Sequence, residues 1–213
     1  MKPVSLLPLN GGFRFAVALL ILLSGCRSRT EEDPVIYYNN GLQLMQAGRI
    51  QEAMDSFHRA IQLKPDFVDA HCDLGAAYSK VNRTQEAAGE FEQAIQLNPN
   101  MARAHYDLGN AYDRLGRFQD AIASYKQAQR LTPGDVEVYI NLGVVYGEVK
   151  QYNEAVAAFL QALRLKPDDV DAHFNLGLAY LYSGDKTSAL KECDSLVPLD
   201  RSRADELRSI VHE

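Results

Sequence analysis

Between Ala102 and Gly116, the residues His105, Leu108, Gly109 and Tyr112 stand at i, i+3, i+4 and i+7, so they share one face of a helix. Ala121, Tyr125 and Ala128 do the same on a second helix that follows at once. The pattern returns along the chain at a fixed step of 34 residues, marked by Gly41, Gly75, Gly109, Gly143 and Gly177. Leu44, Tyr78, Tyr112, Tyr146 and Tyr180 sit three residues after each glycine, and Ala53, Ala87, Ala121, Ala155 and Ala189 twelve after it. Phe57, Phe91, Tyr125 and Phe159 form an aromatic column, and Pro65, Pro99, Pro133 and Pro167 close each unit. Glycine and alanine leave room where two helices cross, and the ring fills the space beside them. A proline just past the second helix blocks its continuation, and Asp66, Asn100, Asp135 and Asp168 are placed to cap the helix that follows.

The period and its columns resemble the tetratricopeptide repeat (TPR), a helix, a tight turn and a second antiparallel helix in 34 residues. The resemblance implies an all-α, right-handed superhelical solenoid of about five units: residues 34–67, 68–101, 102–135, 136–169 and a divergent 170–203. The fifth departs from the others with Ser188 in place of an acid, Cys193 in the aromatic column and Leu196 in place of an alanine. Beyond it, Ala204, Leu207 and Val211 share one face of a short helix, residues 204–213, whose other side carries Arg203, Glu206 and Arg208. Such a polar-backed helix is expected to cap the open end of the stack.

The first residues pose a different problem. Lys2 and Arg14 flank a region without acids, and the apolar run Phe15 to Leu23 is too short to span a bilayer. This is the layout of a secretory signal peptide, assigned to residues 1–25. Leu23-Ser24-Gly25-Cys26 resembles the lipobox of bacterial lipoproteins, which implies that Cys26 receives lipid and becomes the new N-terminus. An ordinary cleavage site lacks its A-x-A-like triplet here. By the same resemblance, Arg27 in place of Asp favours the outer membrane, with the chain facing the periplasm. Residues 26–33 then form a lipidated, charged linker whose seven residues after Cys26 reach roughly 25 Å at most.

Charge and cysteine usage narrow the partners. The chain holds 22 basic and 28 acidic residues; removing Lys2 and Arg14 with the signal leaves 20 against 28, a formal −8. Nucleic acid as a main partner would demand a basic stripe instead. Cys72 and Cys193 lie in different repeats, too far apart to bond, and are expected to be free thiols. His71, His105 and His173 occupy one column, which Tyr37 and Tyr139 share, so they read as packing residues rather than metal ligands. No H-E-x-x-H, phosphate-binding loop, G-x-S-x-G or C-x-x-C is present. No cofactor, metal, small-molecule substrate or catalysis is expected.

What remains is the surface. In the TPR family the first helix of each unit lines a concave groove for peptides or helices. One step around from the packing face, Tyr38 and Leu42, Tyr106 and Asn110, Ile140 and Val144, and Phe174 and Leu178 occupy that position. A neighbouring column reads Asn39, Asp73, Asp107, Asn141 and Asn175. It resembles the asparagine ladder of O-linked N-acetylglucosamine transferases, in which amides grip a peptide backbone. Solubility alone also selects Asn and Asp on an exposed helix face. The two aspartates favour a basic or N–H-presenting ligand near the middle of the groove. The basic residues of the carboxylate clamp are missing: Tyr38, Cys72, Tyr106 and Asp107 stand there. The leading expectation is an envelope adaptor, anchored to the membrane through its lipid, that binds a protein or peptide partner. The alternatives are a non-catalytic subunit or glycan-binding module of an envelope enzyme complex, with Tyr106 and Phe174 stacking on sugars, a pilotin-like assembly factor, and an end-to-end scaffold.

Overall fold

The structure, a computed structural model, describes residues 33–212; the expected signal peptide, the expected lipidation at Cys26 and the expected linker up to Glu32 lie outside them. The described residues form eleven helices and no strand. They pair as α1 Pro34–Gln46 with α2 Ile50–Leu63, α3 Val68–Lys80 with α4 Thr84–Leu97, and α5 Ala102–Arg114 with α6 Phe118–Leu131. Then follow α7 Val136–Glu148 with α8 Tyr152–Leu165, α9 Val170–Tyr182 with α10 Lys186–Leu196, and a last helix, α11 Arg201–His212. None of these helices is long and apolar enough to cross a membrane.

Within each of the first four units the glycine of the first helix is pressed by the ring of the second. A β-carbon at Gly41, Gly75, Gly109 or Gly143 would lie 2.5, 2.7, 2.6 or 2.6 Å from Phe57, Phe91, Tyr125 or Phe159. The rings are themselves almost fully buried. The turn between the two helices is equally regular, because the middle one of its three residues takes a left-handed backbone in every unit. Glycine fills that place at Gly48, Gly116 and Gly184 (φ 74°, 70° and 91°), whereas Asn82 and Lys150 adopt φ 59° as non-glycine residues. This second period-34 column has a backbone cause that lysine meets only with strain.

Capping follows the expected positions only in part. Asp135 accepts from the Glu137 N–H, but α9 is capped by Asp169, which accepts from Ala172 N–H at 2.9 Å, and not by Asp168. Neither Asp66 nor Asn100 caps: the cap positions are Phe67 and Met101, one residue later, without a side-chain bond. The chain turns into α3 on Phe67, which packs against the Tyr38 ring, and into α5 on Met101, which packs against the core, and this leaves Asp66 and Asn100 in the exposed loop.

Consecutive first helices, α1, α3, α5, α7 and α9, touch one another directly, whereas consecutive second helices never do. A stack whose first helices crowd and whose second helices splay must curve, so the first helices line its inner side. At the C-terminal end Cys193 is too small to fill the ring position, and Leu207 of α11 takes it, packing on Gly177. Ala204, Leu207 and Val211 are buried there with Phe174 and Leu196.

Candidate functional site

Along the inner side the residues expected to form a groove lie in one row, but they differ in what they have left to offer. At the N-terminal end Asn39 is exposed and Leu42 half-buried. The Tyr38 ring packs against Phe57 and Phe67, and its hydroxyl donates to Asp73 Oδ2 at 2.8 Å. Burial, with the Asp73 carboxylate behind it, pushes the Tyr38 phenol well above its ordinary value. Asp73, only 7 % exposed, also accepts from Arg103 Nη2 at 2.6 Å, and Arg103 reaches Asp107 at 3.5 Å. Burial raises the Asp107 carboxyl, and Asp73 adds to that while Arg103 opposes it. The acidic middle of the groove is therefore answered from within the chain. The basic or N–H-presenting ligand expected near the middle of the groove would meet carboxylates that already have partners within the chain.

Between units three and four a network of neutral groups closes the groove floor. Tyr125 Oη donates to Asn110 Oδ1 at 2.7 Å, and Asn141 Nδ2 donates to the same oxygen at 3.2 Å and to Tyr106 Oη at 3.0 Å. Buried polar groups must find partners, and these find one another. Asn141 and Asn110 are thereby building elements first, and Ile140 beside them is buried. Phe174 is also buried, with the Arg203 guanidinium 4.2 Å over its ring and Arg203 held by Asp171 at 2.8 Å. Ile140 and Phe174 are buried and consequently offer a ligand almost no surface, with Arg203 of α11 folded back over Phe174. Phe174 is therefore not presented for stacking on a sugar, and Tyr106 is half-buried against Tyr125, with ring centroids 6.0 Å apart.

Between units four and five the row opens. A cavity of about 350 Å³ is lined by Val144, Asn175 and Leu178 of the expected set, together with Gly147, Glu148, Lys150, Tyr152 and Tyr182. Asn175 makes no hydrogen bond to any described residue. Sequence reasoning missed the last four of these side chains. A signal existed for Tyr182: its column reads Gln46, Lys80, Arg114 and Glu148 in the other units, so the aromatic residue is a departure.

The histidines are accounted for as staples. Nε2 of His71, His105 and His173 bonds the carbonyl of Pro65, Pro99 and Pro167 at 3.0, 2.9 and 2.9 Å, and Tyr139 Oη donates to Pro133 O at 3.2 Å. Nδ1 of His71 and His173 meets Glu90 and Glu192, each at 2.7 Å. The Glu90 bond raises the His71 pKa against the opposing effect of burial. No group of side chains among the described residues is arranged to hold a metal ion. Cys72 and Cys193 are buried free thiols, and burial pushes the Cys72 thiol up to about 12.

Comparison with known proteins agrees with this geometry. A tetratricopeptide repeat family model matches residues 72–136, and a TPR repeat model matches residues 41–82 and 148–184. No curated protein matches the chain. Among solved structures, the crystal structure of MamA protein is similar at 24% identity with a TM-score of 0.77, over 82% of this chain and 96% of that one. YrrB, described as a TPR protein with an unusual peptide-binding site, is similar at 22% identity and a TM-score of 0.78, over 87% and 97%. A MamA fragment from Desulfovibrio magneticus RS-1 follows at 21% and 0.75, over 79% and 96%. At such identities the likeness establishes the shared fold, a helical solenoid of TPR units.

Proposed function

We propose that this array of tetratricopeptide repeats is a non-catalytic adaptor that holds a peptide or helix of another protein against the inner side of its stack. The observation that carries the reading is the convergence of α1, α3, α5, α7 and α9 on one side, with an open cavity and an unsatisfied amide at its C-terminal half. An unbonded amide beside half-buried aliphatic side chains presents both of the contacts that a polypeptide needs. The non-catalytic part rests on where the reactive side chains are spent. Both described thiols are buried, and His71, His105 and His173 hold proline carbonyls.

The same reading ties the protein to a bacterial envelope through lipid on Cys26, on the strength of the Leu23–Cys26 pattern and the short apolar run before it. The predicted outer-membrane location rests on Arg27 and the same resemblance.

Both halves are tested in cells. A photo-crosslinking amino acid is placed at Leu178 on the inner side or at Gln127, which is exposed on α6. Discrete adducts from position 178 and none from 127 are expected; adducts from 127 alone would move the interface to the outer helices. In parallel, membrane association after a salt wash is compared for the native chain and Cys26→Ala. Equal retention of the two sinks the anchor.

A further inference from the structure

The four junctions between successive units are built on one register, so each is a control for the others. At the junction of units two and three the equivalent space is about 160 Å³, narrowed by Ser79, Asp107, Asn110 and Arg114. At units three and four it is closed by the bonds of Asn110 and Asn141, and at units one and two Asp73 is tied to Tyr38 and Arg103. At units four and five every one of these obstacles is missing. Val144 stands where Asn110 does, and Gly147 where Ser79 and Asp113 do. A β-carbon at Gly147 would meet no atom within 4 Å, so the glycine faces open space in a helix that gains nothing else from it.

The walls and the rim of this cavity differ in chemistry. Its walls are Val144, Leu178, Ala155 and the edge of Phe159, and its mouth carries the Tyr152 and Tyr182 rings, 5.6 Å apart, with Tyr182 59 % exposed. The rim supplies one carboxylate, one ammonium and one amide: Glu148, Lys150 and Asn175. None of the three side chains is ion-paired or hydrogen-bonded within the described chain. An apolar chamber with acceptor, donor and amide around its mouth matches a peptide main chain whose N–H and C=O groups need the opposite partners.

Resting on the adaptor reading above, we propose that the cavity between units four and five is an anchor site for one aromatic side chain of an extended partner peptide. The ring fills the chamber against Val144 and Leu178, and Tyr182 closes over it. Asn175 and Lys150 donate to main-chain carbonyls beside the anchor, and Glu148 accepts a main-chain N–H. Asp113, next to Glu148 along the inner face, adds a second negative charge, with Arg114 the cation that acts on it. A residue flanking the anchor on that side is therefore not acidic.

The test selects random 12-residue peptides displayed on phage against the full-length protein, then measures the recovered peptides on Gly147→Leu, which fills the chamber, and Tyr182→Ser, which opens its mouth. Circular dichroism on the same samples reports folding; Leu at 147 raises helix propensity, its β-carbon meets no atom within 4 Å and the rest of its side chain enters the open chamber, so the fold is expected to persist. Recovered peptides are expected to share one aromatic position without an acid beside it, and to lose at least tenfold in affinity on Gly147→Leu and severalfold on Tyr182→Ser. Peptides that lack an aromatic consensus, or that bind native protein and folded Gly147→Leu alike, overturn the anchor site. If such peptides still weaken on Asn39→Ala, at the far end of the inner row, the groove reading stands without the anchor. A native chain that selects no peptide overturns the groove reading with it.

Discussion

Gly109→Ala and Gly89→Ala make the same chemical change in the same kind of helix, yet they are expected to move stability in opposite directions. Both replace a mid-helix glycine, so both gain roughly 0.8–1 kcal/mol of helix propensity. At Gly89 the new methyl meets nothing within 4 Å, and the gain stands alone. At Gly109 it would lie 2.6 Å from both Cδ1 and Cε1 of Tyr125 and 3.0 Å from Cγ. The ring has no easy retreat. It is 1 % exposed, and its hydroxyl is held by Asn110 at 2.7 Å. Overpacking of this kind costs about 1–3 kcal/mol. Propensity cancels between the variants, so their difference isolates packing at that size. For a chain of this length 1 kcal/mol corresponds to about 2–4 °C, which puts the midpoints about 2–12 °C apart. Thermal unfolding followed at 222 nm measures it, with urea midpoints as a second probe because repeat arrays need not unfold in one step. Coincident midpoints, or a Gly109→Ala variant above native, would refute the assignment of these glycines to ring-on-backbone contact.

The remaining expectations concern three other places in the stack. Lys150→Gly relieves a left-handed backbone and should stabilise by about 1–2 kcal/mol, read as a higher urea midpoint; Gly116→Lys should lose a similar amount. Leu207→Ala removes the side chain that α11 packs on Gly177 and should cost about 2–5 kcal/mol, with hydrogen exchange rising first in α9 and α10. The His71 pKa is raised in the folded chain by its bond to Glu90, so the stability that this pair supplies is complete below the unfolded histidine value, near 6.5. It is lost as pH rises through the higher folded value. Glu90→Gln should therefore be more costly at pH 5.5 than at pH 8.5, and an equal loss at both would deny the pair a charged state.

Periodicity of 34 residues, the two-helix unit and the facing of Gly41 by Phe57 and its successors were legible in the chain, because each unit packs locally and repeats its solution. The left-handed turn column at Gly48, Asn82, Gly116, Lys150 and Gly184 was legible too in principle, but Asn and Lys interrupt it and only backbone angles unite it. Helix caps at Asp66 and Asn100 failed because the cap position falls one residue later, on Phe67, which packs against Tyr38, and on Met101, which packs against the core. Position on a helical face also said which residues look inward, but not which remain available there. Asp73, Asn110 and Asn141 are bound to partners 15–35 residues away, and Phe174 is covered by Arg203 from a helix beyond the last repeat. Those bonds depend on how one helix lies against another, within unit three for Asn110 and Tyr125 and between neighbouring units for the rest, a distance that no spacing within one helix encodes. For the same reason the cavity between units four and five appeared only in three dimensions. It arises from the coincidence of small and apolar residues on three helices, α7, α8 and α9, of which only Tyr182 stands out in its own column. The repeat is thus written in the sequence one unit at a time, while the site is a property of the junction between two of them.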